Sequence, residues 1–143
     1  MKIYSAEELN YWQTSRSSPD SWIDKAKRQI QSLGGKVEAE GFGQDSEGKA
    51  AFMIGFSLNG DGFKIIWPVM KSKTGNERAA RIQAATSLYH YVKGVCLYAA
   101  VVGPKPAFFG HLMLPNGKIA SQLASDKLAE MIPRIVMIEN KGR

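Results

Sequence analysis

The chain has 143 residues, of which 44% are hydrophobic and 10% aromatic, so it is long enough for one domain with a buried core. No apolar run approaches the roughly 20 residues of a membrane-spanning helix, and the start MKIYSAEELNYW lacks the pattern of a signal peptide. We therefore expect a single domain over residues 1–143, located in the cytoplasm and without a membrane partner. The single cysteine, Cys96, excludes an internal disulfide and is expected to be a buried thiol.

The formal net charge is +6, and the positive charge is concentrated in the middle of the chain. Between Gly62 and Ser125, eight lysines and arginines stand against one acid, Glu77, while the other twelve acids lie in the flanking segments. A field of this kind attracts nucleic acid, anionic lipid headgroups or an acidic protein surface.

Two helices are predicted before residue 35. Ser5 followed by Glu8 is a capping box, which predicts a short helix from Ala6 to about Gln13. In RSSPDSW, Ser18 can cap a second helix that begins at Pro19 and ends at the glycine pair 34–35. The apolar residues of this second helix recur at helical spacing: Trp22, Ile23, Ala26, Ile30 and Leu33.

From residue 36 the hydrophobic period changes to two, which indicates strands. The segments KVEAEGF, AAFMIGFSL and FKIIWPV predict an antiparallel meander with one buried face, and NGDG predicts the second hairpin turn. Lys64 falls on the opposite face, and Pro68 marks the edge or end of its strand. The predicted buried residues are Phe52, Ile54, Phe56, Leu58, Phe63, Ile65, Trp67 and Val69.

A long central helix is predicted next. Asn76 can cap it, and no proline interrupts the chain before Val102. Its polar residues Gln83, Ser87 and His90, with Lys93, are predicted to lie opposite the core. The predicted core stripe consists of Ile82, Ala85, Leu88, Tyr89, Val92, Val95, Cys96 and Ala99.

After the helix, GPKP breaks the chain, AFFGHLML predicts a short apolar strand and PNGK predicts a turn. The rest predicts one or two helical turns, an apolar tail and disorder over residues 139–143. The predicted fold class is α+β, with an antiparallel sheet of three to four strands packed on the long central helix and an N-terminal helical segment.

Residues for catalysis or metal binding are scarce. The two histidines, His90 and His111, have no cysteine or carboxylate at ligand spacing, so we predict no metal, no cofactor and no histidine-activated nucleophile. Pro19-Asp20 with Glu47-Gly48-Lys49 matches the PD…ExK pattern of a nuclease family. The first pair is expected to cap a helix and the second to lie in a turn, so we predict a protein that is not an enzyme, with nuclease activity as the remaining alternative.

The most suggestive segment is KSKTGNERAAR, residues 71–81, at the predicted junction of the third strand and the central helix. It does not match a P-loop, but unpaired helix-start amides, the positive end of the helix dipole and four cations could hold an anion. A solvated basic corner is the alternative. The predicted nucleic-acid-binding residues are Lys64, Lys71, Lys73, Asn76, Arg78, Arg81, Lys93 and Lys105.

The order helix, three strands, helix over Pro19 to Gly94, with bases where the last helix begins, resembles a double-stranded-RNA-binding domain. The resemblance implies that Lys71, Lys73, Arg78 and Arg81 hold backbone phosphates. A meander leading into a long helix is also similar to part of the core of phage single-strand annealing proteins, and the whole chain resembles small phage or plasmid proteins in general.

We therefore predict a non-catalytic protein that binds DNA or RNA through the phosphate backbone, as an accessory factor in phage or plasmid DNA metabolism would. The first alternative is a small adaptor or inhibitor that uses the same patch on an acidic face of a protein partner. The second is a homo-oligomeric scaffold that buries AFFGHLML and the tail IVMI against a copy of itself.

Overall fold

The structure, a computed structural model, describes residues 2–44 and 48–123. Within them, three antiparallel strands form a sheet in the order β1-β2-β3, and the predicted α+β class is confirmed. One hydrophobic core connects the sheet and the helices. The elements are α1 (Pro19–Ser32), β1 (Lys36–Gln44), β2 (Ala50–Leu58), β3 (Asp61–Pro68), α2 (Glu77–Val102), α3 (Pro104–Ala107) and the 3-10 turns Ala6–Glu8, Phe109–His111 and Ala120–Leu123.

The N-terminal segment differs from the predicted helix over Ala6 to Gln13. Only the 3-10 turn Ala6–Glu8 forms, although the capping-box contact is present: the Ser5 amide donates to Glu8 Oε1 at 3.3 Å. Tyr11 and Gln13 have φ of +71° and +53°, in the left-handed region that ends a helix. The prediction was wrong because contacts with distant residues, described below, hold this segment against α2.

The helix α1 forms where it was predicted. Ser18 Oγ accepts from the Ser21 amide at 3.3 Å, and Pro19 occupies the first turn. Ile23, Ala26 and Ile30 are buried against the rest of the core. The capping signals and the spacing of apolar residues were therefore sufficient for this element.

The sheet buries one face as the alternation predicted. Across β2 and β3, Phe56 pairs with Phe63 and Ile54 with Ile65, and all four side chains are buried. The hairpin turn uses Asn59 (φ +53°) and the following glycine (φ +84°), the left-handed pair that favours right-twisted strands. The edge strand β1 is largely exposed, and β3 ends at its proline as predicted.

The helix α2 also has the predicted bounds. Asn76 Oδ1 accepts from the Ala79 amide at 3.1 Å, which confirms the cap. Cys96 is buried as predicted, and burial raises the pKa of its thiol to about 11. None of the helices within residues 2–44 and 48–123 combines the length and apolar character needed to cross a bilayer.

One position on α2 was assigned to the wrong side. Gln83 was predicted to face solvent but is 2% exposed. Its side-chain amide donates to the Asn10 carbonyl at 2.8 Å and to Ser87 Oγ at 3.0 Å. The N-terminal segment therefore covers the side of the first half of α2 that carries Gln83 and His90.

The segment AFFGHLML is not the predicted strand. It contains the end of α3 and the turn Phe109–His111, and only isolated bridges join Leu112 to Phe63 and Met113 to Ile119. Phe108 is fully buried, with ring centroids 5.2 Å from Phe56 and 5.7 Å from Phe63. The prolines of GPKP favour a helix start here, and Phe108 reaches the core from that helix. The helical turns predicted from residue 120 begin within the described residues, where the 3-10 turn Ala120–Leu123 forms. Their continuation and the predicted apolar tail, from residue 124 on, lie outside the described residues.

Candidate nucleic-acid interface

The junction between β3 and α2 is a tight turn organised by Ser72, which is 7% exposed. Ser72 Oγ accepts from the Thr74 amide at 3.3 Å and from the Asn76 amide at 3.0 Å. Gly75 has φ of +76°, and its amide donates to the Ser72 carbonyl at 3.3 Å. The sequence SKTGN therefore turns the chain within a few residues and places the exposed lysines beside the start of α2.

This turn already holds a carboxylate, that of Glu7. Glu7 Oε1 accepts from the Lys73 amide at 3.0 Å. Glu7 Oε2 accepts from Ser72 Oγ at 2.7 Å, Thr74 Oγ1 at 2.8 Å and the Thr74 amide at 3.3 Å. We call these four donors, two amides and two hydroxyls of residues 72–74, the 72–74 nest.

The nest changes the acidity of the carboxyl group that it holds. Desolvation acts to raise the pKa of Glu7, but the hydrogen bonds from Ser72, Thr74 and the Lys73 amide outweigh it and lower the pKa from 4.5 to about 2. The 72–74 nest therefore stabilises the charged form of a carboxylate of this chain. Its occupant comes from the N-terminal segment, and no pattern in the sequence links residues 65 to 67 positions apart.

Four of the predicted cations surround this turn, and we call them the basic cluster: Lys71, Lys73, Arg78 and Arg81. All four residues are exposed. Within the described ranges none of their side chains forms an ion pair, in contrast to Lys2 and Lys27, which pair with acids. The basic cluster therefore has charge available for an external anion.

A groove of about 340 Å³ adjoins the basic cluster. Lys71 and Arg81 line it, together with Phe42 from the end of β1 and apolar groups such as Val69 and Ala80. The Arg81 guanidinium lies 5.9 Å from the centroid of the Phe42 ring, at the limit of a cation–π contact. The groove thus combines two cations and one acid, Glu77, with an aromatic ring.

Phe42 was not among the predicted site residues. Its side chain is 49% exposed, and its ring packs at a tilt on Phe52, with 4.8 Å between centroids. The register of β1 on β2, which pairs these two phenylalanines, brings Phe42 to the start of α2. The β1 segment itself shows only that an aromatic residue lies in a weak strand.

The remaining predicted site residues do not belong to the basic cluster. Asn76 uses its side-chain oxygen for the helix cap. Lys64 is on the outer face of the sheet, in a groove of about 290 Å³ that shares Phe42 with the groove beside the basic cluster. At 1.5 Å per residue, Lys93 lies about 18 Å along α2 from Arg81, and Lys105 follows the far end of the helix.

An acidic region borders Phe42 on its other side. Asp20, Asp24 and Glu40 line a groove there with Phe42 and Phe52. Lys27 pairs with Asp24 at 3.2 Å and with Glu40 at 2.6 Å, and the Glu40 contact is the main reason that the pKa of Lys27 is raised. Phe42 therefore marks the boundary between positive and negative surface.

The two histidines have structural contacts. The His90 ring stacks on Tyr11 at 4.4 Å between centroids, and His111 Nε2 lies 2.6 Å from the Tyr91 hydroxyl. Burial lowers the pKa of His111.

Among the described residues no group of three His, Cys, Asp or Glu side chains could hold a metal ion. Of the PD…ExK match, Asp20 lies in the first turn of α1, and Glu47 is outside the described residues.

A second notable surface is the outer face of the second half of α2. Leu97 and Val101 are 71% and 77% exposed, and Gly94 lies on the same side. The N-terminal segment covers this side of the helix only as far as His90, where Tyr11 stacks. An apolar patch, bordered by Lys93, therefore follows directly after the covered half.

No protein-family model, curated protein or solved structure matches this chain. The resemblance to double-stranded-RNA-binding domains and to phage annealing proteins therefore stays a prediction, neither confirmed nor refuted by these comparisons.

Proposed function

We propose that this protein binds nucleic acid, without catalysis, through phosphates held by the basic cluster. The observation that supports this most directly is the set of four exposed side chains, Lys71, Lys73, Arg78 and Arg81, gathered at one helix start with no ion pair to another described residue. Cations in this arrangement gain affinity for polyanions by releasing condensed counterions.

The groove beside the cluster supports a polymer rather than a single small anion. It places Phe42 next to Arg81, and an exposed aromatic ring beside cations is the combination on which unpaired bases stack. On the α1 side of Phe42, the acids Asp20, Asp24 and Glu40 outnumber Lys27, which pairs with two of them, so this side disfavours phosphate. A bound strand would therefore run from the basic cluster toward Lys64 on the outer face of the sheet.

The experiment is a fluorescence-anisotropy titration of labelled single- and double-stranded DNA and RNA. It compares wild type with the variant Lys71→Ala/Lys73→Ala/Arg78→Ala/Arg81→Ala from low to near-physiological salt. The matched control, Arg16→Ala/Arg28→Ala/Lys36→Ala/Lys118→Ala, removes the same charge from exposed residues away from the cluster.

We expect the cluster variant to lose binding, and any residual binding to have a salt slope smaller by about four, or about one for each cation removed. The control should keep the slope of the wild type within about one. Equal loss in both variants would show that only total charge matters and would refute the proposed site. A wild type that binds no oligonucleotide but retains one acidic protein would favour the adaptor alternative.

A second candidate function, self-association, is favoured by the apolar patch on α2. The patch is formed by Leu97 and Val101, whereas the AFFGHLML segment first predicted for this role contributes Phe108 to the core. Multi-angle light scattering of wild type and Leu97→Glu/Val101→Glu tests it. A dimer mass that falls to the monomer in the variant would support self-association, and a monomer mass for both would refute it.

A further inference from the structure

The 72–74 nest and the basic cluster occupy the same turn, yet the nest is filled by an acid of this chain. Its four donors converge on the two carboxylate oxygens of Glu7 at 2.7 to 3.3 Å. Amides and hydroxyls arranged in this way bind phosphate oxygens by the same hydrogen bonds as carboxylate oxygens. The donor set itself therefore does not distinguish the internal acid from a backbone phosphate.

A phosphate held by the basic cluster would have this nest within reach. Lys73 contributes its amide to the nest and its side chain to the cluster, and Lys71 directly precedes the nest. While Glu7 is bound, the donors are unavailable and its negative charge opposes a second anion. An incoming phosphate that used these donors would therefore have to replace Glu7.

The segment that carries Glu7 is attached by polar and ring contacts and by the buried Ala6. The Ala6 amide donates to the Lys71 carbonyl at 2.9 Å, Gln83 donates to the Asn10 carbonyl, and Tyr11 stacks on His90. Ile3 and Tyr4, which precede it, are 88% and 46% exposed. Apart from the 3-10 turn Ala6–Glu8, the described residues before α1 form no helix or strand, and a segment of this kind detaches at lower cost than a core element.

We propose that Glu7 is an intrachain competitor for phosphate, which nucleic acid displaces from the 72–74 nest when it binds. This inference rests on the proposed function of the basic cluster. Competition of this kind multiplies the apparent affinity for nucleic acid by the fraction of molecules in which the nest is free of Glu7. It also couples binding to a movement of the N-terminal segment.

The test compares Glu7→Ala with wild type by anisotropy, using the same labelled oligonucleotides at near-physiological salt. The matched control is Glu77→Ala, which removes one negative charge from the same basic stretch but accepts no hydrogen bond from the nest within the described residues. Glu77 also lines the groove beside the basic cluster, so Glu77→Ala measures the gain in affinity from removal of a nearby negative charge alone. We expect Glu7→Ala to bind about fivefold tighter or more than wild type, as coupled sites do, and to gain more affinity than Glu77→Ala.

A folded Glu7→Ala that gains no more affinity than Glu77→Ala would overturn the competition while leaving the proposed function intact, provided that wild type binds. If neither wild type nor Glu7→Ala bound any oligonucleotide, both the proposed function and this inference would be refuted. Binding by Glu7→Ala alone would support both.

A measurement on wild type keeps the inference falsifiable if Glu7→Ala does not fold. In ¹H–¹⁵N NMR spectra, saturating oligonucleotide should shift the amides of Lys73 and Thr74, which now donate to Glu7, and also those of Ala6 and Leu9 in the N-terminal segment. A bound complex in which these four amides keep their positions would show that Glu7 stays in the nest, and the competition would be refuted.

Discussion

At the scale of single residues, the Glu7 carboxylate joins the N-terminal segment to the turn before α2, and its low pKa makes this link depend on pH. The pKa of Glu7 in the folded chain is about 2, below its ordinary value of 4.5. Its contribution to stability is therefore fully present above about pH 4.5 and is lost as the pH falls toward about 2.

We expect Glu7→Gln to be less stable than wild type near pH 6 and to converge with wild type toward pH 2, because a neutral side chain cannot gain the charge-assisted bonds. Urea unfolding at a series of pH values measures this. Glu8→Gln is the control. The pKa of Glu8 is also about 2, mainly because of a hydrogen bond from Lys2, and Glu8 does not contact the nest. Glu8→Gln therefore measures the pH dependence of stability that a neighbouring carboxylate contributes without the nest. Parallel pH profiles for Glu7→Gln and wild type would contradict the prediction.

At the same scale, Phe42 and Gln83 show what local pattern omits. The sequence places Phe42 in a weak strand and Gln83 on the polar side of a helix. In the structure Phe42 lies beside Arg81, and Gln83 is buried under Asn10. Both positions depend on which distant segment lies opposite, and the periodicity of one element does not contain that information.

At the scale of elements, the turn into α2 depends on one glycine. Gly75 has φ of +76°, although a Cβ atom there would meet nothing within 4 Å. Gly94, in α2, also has open space around a Cβ atom but has ordinary helical φ. Substitutions at these two glycines therefore test the effect of backbone strain, because neither new side chain would meet a steric contact.

We expect Gly75→Ala to lower the free energy of unfolding by about 1 kcal/mol, because an L residue is strained in the left-handed region. We expect Gly94→Ala to raise it by about 0.5–1 kcal/mol, because alanine loses less backbone entropy in a helix than glycine does. Chemical denaturation of both variants measures these changes. Equal signs for the two substitutions would contradict this account.

The sequence predicted three elements well: α1, the β2–β3 hairpin and α2. In each of them the local sequence signals favour the same structure as the tertiary contacts do. Each has a capping or turn residue that works as expected: Ser18, Asn59 and Asn76. The N-terminal helix failed although its capping box is present. There the contacts of Glu7 and Asn10 with residues more than 60 positions away outweigh a short helix, which has little stability of its own.

At the scale of the whole molecule, Phe108 ties the chain after α2 to the sheet. It is fully buried between Phe56 and Phe63, and no strand pairing is needed to hold it there. We expect Phe108→Ala to cost about 3–5 kcal/mol of unfolding free energy, as for other large core truncations.

Met113, in the following segment, is 44% exposed, so Met113→Ala should cost less than about 1 kcal/mol. Urea unfolding of both variants measures the difference. A small cost for Phe108→Ala would mean that residues 104–112 are not part of the cooperative core. That result would also reopen the prediction that this segment is available for self-association.

The amino-acid sequence by itself determined the α+β class, the meander with its buried face, the capped central helix and the concentration of positive charge around residues 64–105. These features follow from local propensity, hydrophobic period and composition, which act within one element. Only the tertiary structure decided that Phe42 adjoins the basic cluster and that Glu7 occupies the anion nest beside it. The physical reason is that these relations join residues far apart in the chain, and such contacts form only when packing of the core brings the elements together.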